Sequence, residues 1–148
     1  MRRRRAGQGL VEFALLLPVL LLIIMGIIDF GRAIYAFNSV SNAAREGART
    51  AIVDQRTRTA TGAYLAAEEA ANQATALGLS PTDPAQVLVT FPDPDNNCPT
   101  VAIGCLVSVR VQYQFTAITP IIGRIIGPFT VGSTTVLPIE ATQSGSTP

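Results

Sequence analysis

The 148-residue chain has no histidine, no lysine and no tryptophan, and only two cysteines. Without histidine or lysine it cannot assemble a Ser-His or Cys-His nucleophile pair, a P-loop lysine or a Schiff-base lysine. A structural zinc site wants four ligands, and two thiols without imidazoles do not supply them. Carboxylates offer no substitute, because Glu68 and Glu69 are adjacent and diverge around a helix instead of forming an acid-base pair. The sequence therefore points away from an enzyme and implies no cofactor and no metal, leaving a structural or a binding protein to be distinguished.

Apolar residues are what the chain has in excess, at 48% of its length. They concentrate in Gly7 to Ile28, GQGLVEFALLLPVLLLIIMGII, interrupted by one carboxylate, Glu12. The 19 residues from Leu10 to Ile28 would rise roughly 28 Å as a helix, close to the thickness of a bilayer's hydrocarbon core. A carboxylate in lipid costs a few kcal/mol or more unless neutralised or paired, so Glu12 is a functional candidate.

All 11 basic residues are arginine, and four of them, Arg2 to Arg5, precede the apolar run. A basic block before a span is the positive-inside signal, which keeps the N-terminus cytoplasmic and sends the rest across. The remainder then carries a side-chain net of −3, which argues against a nucleic-acid partner. A cleaved secretory signal shares the basic start, but its apolar run is shorter and ends at a small-x-small site. This run instead enters Asp29, Phe30, Gly31 and Arg32, and Ser39-Val40-Ser41 comes too late.

Beyond the span, Ala33, Phe37, Val40, Ala44, Ala48 and Ala51 recur at steps of four and three, predicting an amphipathic continuation of the same helix to about residue 53. Pro18, and Gly26 with Gly31, are the places where it could bend. Asn38, Asn42, Arg45, Glu46 and Arg49 share another face; Arg45 and Arg49 could hold an anionic group or a partner's carboxylate, or pair with Glu46 or solvent. After a break at Asp54 to Arg58, Thr59 to Leu77 reads as an alanine-rich helix with a thin face of Thr59, Ala60, Ala63, Ala67, Ala71 and Ala74, ended by Gly78.

From Pro84 the period becomes two. Val87, Val89 and Phe91 alternate with Gln86, Leu88 and Thr90, and Val107, Val109, Val111, Tyr113 and Phe115 alternate more strongly with Ser108, Arg110, Gln112, Gln114 and Thr116. A third strand is expected over Phe129 to Ile139, weakened or placed at an edge by Gly132 and Pro138, with Pro120 to Pro128 joining the strands as an apolar loop. Cys98 and Cys105 frame a short loop. If the domain is extracytoplasmic, a disulfide there would stabilise it by about 2 kcal/mol. Asp93 and Asp95 have oxygen-rich neighbours that can suit calcium, although turns around Pro92 and Pro94 explain them more simply.

From Ala6 onward, Gly7 followed after four residues by Glu12, Phe13 and an apolar helix resembles the class III signal of type IV pilin-like proteins. More narrowly, EFALLLP, DFGRA and NAAREGAR in that order resemble the TadE-like pseudopilins of tight-adherence (Flp-type) pilus systems. The likeness is close over the first 50 residues or so and looser in VSVRVQYQFTAITPIIG and the last strand. The resemblance implies prepilin-peptidase cleavage between Gly7 and Gln8, with Glu12 becoming the fifth mature residue and pairing, beside Phe13, with a neighbouring subunit's α-amino group. Physically, Glu12 either snorkels to the interface or is buried and paired on assembly, and the resemblance favours pairing. Asp29, Arg32, Arg45, Glu46 and Arg49 become candidates for helix packing or partner contact.

The expected fold is α+β: a long pilin-like N-terminal helix, a second helix and a small antiparallel sheet of about three strands. The expected divisions are a basic leader at 1–7, a transmembrane part of helix 1 at 8–28, its extramembrane part at 29–53, a small extracytoplasmic domain at 59–142 and a disordered tail at 143–148. Major Flp pilins are short and nearly all helix, whereas about 90 residues follow the first helix here, so the resemblance implies a minor, priming, capping or tip pseudopilin. Its partners would be other pilins or pseudopilins, the prepilin peptidase, the inner-membrane assembly platform and the lipid bilayer. The competing reading is an uncleaved single-pass protein that displays a small binding domain.

Overall fold

The computed structural model describes residues 4–53, 60–92 and 103–140. Its elements, in chain order, are helix α1 (Arg4–Val53), helix α2 (Ala60–Gln73) with a 3-10 turn at Thr75–Leu77, strand β1 (Val87–Thr90), strand β2 (Leu106–Phe115), helix α3 (Pro120–Ile126) and strand β3 (Phe129–Pro138). The chain is α+β as the periodicities indicate. Asp54 to Arg58, Asp93, Asp95, Cys98 and the tail from Gln143 lie outside the described residues.

Two compact units divide the chain. One comprises residues 1–34 and 115–129, and the other 35–114 and 130–148. In the second, the core is built from the last turns of α1, from α2 and from one face of the sheet. Val40, Ala43, Ala44, Ala48 and Ala51 of α1 are buried, as are Ala66, Ala67, Ala70, Ala71 and Ala74. Side chains this small let two helices approach closely. At Gly47 the approach is close, since a Cβ there would lie 2.9 Å from Ala70 Cβ and 3.0 Å from the Ala66 carbonyl oxygen. Gly78 then closes the 3-10 turn in a left-handed conformation, at φ 63°, which glycine adopts without steric cost.

The sheet has the order β1-β2-β3, so β2 is central. β1 runs antiparallel to β2 with Val87 opposite Val111 and Val89 opposite Val109. At the other edge, Gly104 N–H donates to the Ile139 carbonyl and Ile139 N–H to the Cys105 carbonyl, so two residues face one in a β-bulge whose first residue, Gly104, is at φ 92°. Val107, Val109 and Val111 point inward and are fully buried, each contributing about 1.5–3 kcal/mol by removal from water. Pro138 sits at the end of β3, on an edge where no ladder donor is lost to a central strand.

Two expectations need correction. The stretch from Pro120 to Pro128 is not a loop, because Pro120–Ile126 is helical. Thr119 is extended before it, Pro120 occupies the first position where a missing N–H costs nothing, and Gly127 ends it at φ 70° with its N–H on the Gly123 carbonyl. Phe37 is not part of the buried stripe but is 54% exposed. The buried stripe passes instead through Ala36 and Val40, which turns Phe37 away from it.

Candidate functional site

Helix α1 presents its apolar run without a cover. Every described side chain from Gly7 to Ile24 is exposed, including Leu10, Phe13, Leu15 and Leu16. By length and composition the helix can cross a membrane, and none of its most apolar stretch is buried within the fold. It runs through Pro18 without interruption, as spanning helices can when neighbouring groups re-satisfy the freed carbonyl. Glu12 lies on this surface one residue before Phe13, exposed like its neighbours.

The run ends at a clamp. Asp29, the first residue after it, is buried, at 5% exposure. Its two carboxylate oxygens accept the backbone N–H groups of Ile118 and Thr119, each at 2.9 Å, from a segment 89 and 90 residues later. Arg32, one turn on, lies 3.4 Å from the Asp29 carboxylate, and its guanidinium sits 5.4 Å from the centroid of the Phe115 ring, a cation-π distance. Phe115 in turn packs on Phe129 with centroids 5.1 Å apart. The stretch from Phe115 to Phe129 is thus fastened to α1 at Phe115 and at Ile118 and Thr119.

The electrostatics follow from this geometry. The Thr119 hydroxyl beside the carboxylate, then the Ile118 and Thr119 amides, hold the Asp29 pKa down to about 2 from 3.8, with Arg32 adding a smaller push the same way against burial. The buried Thr119 hydroxyl oxygen has no hydrogen-bond partner among the described residues. The two amides are the directional contacts.

The remaining candidates belong to the other compact unit. Glu46 and Arg49 pair at 3.4 Å on the surface of α1, where such a pair contributes at most about 1 kcal/mol, and Arg45 is exposed. Cys105 is buried just before β2. A cleft beside the 3-10 turn is lined by Leu79, Asp83, Gln86, Gln112 and Tyr113, and its one carboxylate is tied to the Ala85 N–H at 2.9 Å. No cluster of three metal-ligating side chains occurs among the described residues.

Reading the sequence singled out Asp29 and Arg32 but not what they hold. Ile118, Thr119, Phe115 and Phe129 carry no local signal for it, because a backbone amide is the same in every residue. The available hint is an acidic residue at the end of an apolar helix followed by arginine at i+3.

Residues 7–49 match the family described as TadE-like protein. The matched segment contains Glu12, Asp29, Arg32, Arg45, Glu46 and Arg49 and lies wholly within α1. No curated protein and no solved structure matches the chain.

Proposed function

We propose that this chain, TadE-like over residues 7–49, is a minor pseudopilin of a tight-adherence pilus. It is held in the membrane by α1 and takes part in priming, capping or assembling the fibre. The observation that carries the reading is the coincidence of the family match with an uncovered apolar run, Gly7 to Ile28, whose one carboxylate is Glu12. A bilayer covers such a helix before assembly and neighbouring pilin helices cover it afterwards. Glu12 then sets the register: unpaired it is costly in an apolar surrounding, and the α-amino group of an adjacent subunit neutralises it.

In this reading prepilin peptidase cuts between Gly7 and Gln8, taking away Arg2 to Arg5, and the N-terminus lies on the cytoplasmic side. Phe13 packs beside Glu12, and Arg45, Glu46 and Arg49 are available to partner subunits and the inner-membrane platform. Cys98 and Cys105 form the disulfide of the exported part. The role is structural and needs no cofactor.

The test is intact mass and N-terminal sequencing of the protein from its native membranes, with the prepilin peptidase present and deleted. The expected outcome is a mature chain beginning at Gln8 only when the peptidase is present. A chain beginning at Met1 or Arg2 in both strains would replace this reading with that of a permanent single-pass protein displaying a binding domain.

A further inference from the structure

Helix α3 leaves its isoleucines uncovered. Ile118, Ile121, Ile125 and Ile126 are each more than half exposed, Ile125 at 79%, and they crowd into nine residues whose single charge is Arg124. So dense an apolar patch marks a surface that something else covers. The fold narrows what that is. Ile122 rests against Gly26, where an added Cβ would lie 3.5 Å from Ile122 Cδ1, and the Ile118 and Thr119 amides are fixed to Asp29. Gly26 and Asp29 bracket the point where the apolar run of α1 ends. All of these residues belong to one compact unit, so α3 is held against α1 at the depth where the span finishes.

We propose that α3 is an interfacial lipid-binding element, lying in the surface of the bilayer that α1 crosses and inserting its isoleucines among the acyl chains. The proposal rests on α1 being a membrane span. Ile121 and Ile125 are one helical turn apart, as are Ile122 and Ile126, so they form two adjoining stripes. With Ile122 on α1, the other three border that contact and continue the apolar surface of the span. Arg124 reaches to the phosphate headgroups on a long aliphatic stem, the arrangement of helices that lie in a membrane interface.

The Asp29 clamp makes this placement tolerable. A carboxylate at the edge of the hydrocarbon is costly when bare, but here its oxygens are occupied by two amides and its charge is offset by Arg32. A second foothold beside a single span also has a mechanical consequence. A lone helix is free to tilt and rotate about its axis, whereas flanking interfacial anchors restrict both. In this way α3 fixes the direction in which Glu12 faces along the membrane plane.

Methyl NMR of the full, unsubstituted chain tests the proposal. The isoleucine δ1-methyl groups are labelled, and the protein is placed at one copy per lipid nanodisc containing phosphatidylcholine and phosphatidylglycerol. Nuclear Overhauser contacts to the acyl methylenes are expected from Ile23 and Ile24 in the span and from Ile121 and Ile125 in α3, and none from Ile139, which is 1% exposed. Lipid contacts at Ile23 with only water contacts at Ile121 and Ile125 would overturn the interfacial role while leaving the span intact. Contacts from α3 to a second copy, seen in larger discs with mixed isotope labels in place of lipid contacts, would overturn it in favour of a subunit interface. Absence of lipid contacts at Ile23 as well would remove both the span and the proposal.

Discussion

Two carboxylates on one helix have opposite surroundings. Asp29 is enclosed, and each oxygen takes a backbone N–H at 2.9 Å. Glu12 is exposed on an apolar surface. Replacing Asp29→Asn keeps the shape and removes the charge that both amides share, so faster hydrogen exchange at Ile118 and Thr119 is expected, read by mass spectrometry of the protein in nanodiscs. The pH dependence has a definite sign. Because the folded pKa is depressed to about 2 from 3.8, the carboxylate stabilises the clamp fully above the unfolded value and loses that contribution as pH falls through the folded one. The amide resonances of Ile118 and Thr119 should therefore hold steady down to about pH 4 and move as pH drops toward 2. Glu12→Ala, by contrast, should leave thermal unfolding within about 0.5 kcal/mol of the parent, as an exposed substitution does, while abolishing recovery of the protein in sheared pilus fractions. Unchanged recovery would remove Glu12 from the assembly mechanism.

At the scale of elements, the alanine faces of α1 and α2 are the decisive fit. Gly47→Ala gains helix propensity worth about 1 kcal/mol, yet its methyl would stand 2.9 Å from Ala70 Cβ and 3.0 Å from the Ala66 backbone oxygen, which a backbone cannot yield cheaply. A net destabilisation of about 1–3 kcal/mol is expected, measured as a lower denaturant midpoint with unchanged slope. Gly31 on the same helix has no heavy atom within 4 Å of an added Cβ, so Gly31→Ala should be neutral or stabilising by up to about 1 kcal/mol. The contrast separates close packing from helix propensity.

The two units of the molecule differ in what they leave uncovered. One unit carries an uncovered apolar helix together with the exposed isoleucines of α3, whereas the other encloses a core of alanine and valine under a three-stranded sheet. Membranes from cells expressing the chain should retain it in the pellet through alkaline carbonate extraction, which releases peripheral proteins. Its appearance in the supernatant would contradict a span formed by α1. The outcome is independent of processing, because cleavage after Gly7 leaves the stretch from Leu10 to Ile28 whole.

The sequence by itself determined the elements whose cause is periodic and local. An apolar run of 19 residues, a helical stripe to Ala51, an alanine-rich second helix stopped at Gly78 and alternating valines in β2 all carry their reason in their spacing, because helix and strand expose side chains at fixed intervals. The pattern EFALLLP, DFGRA and NAAREGAR was likewise legible as TadE-like. Tertiary structure alone decided three things. It made Pro120–Ile126 a helix despite its β-branched residues, with Ile122 packed against Gly26 of α1. It turned Phe37 outward, since the buried face of α1 passes through Ala36 and Val40 instead. And it joined Asp29 to amides 89 and 90 residues away, a pairing that depends on where two distant stretches of backbone meet and so leaves no trace in the spacing of either one.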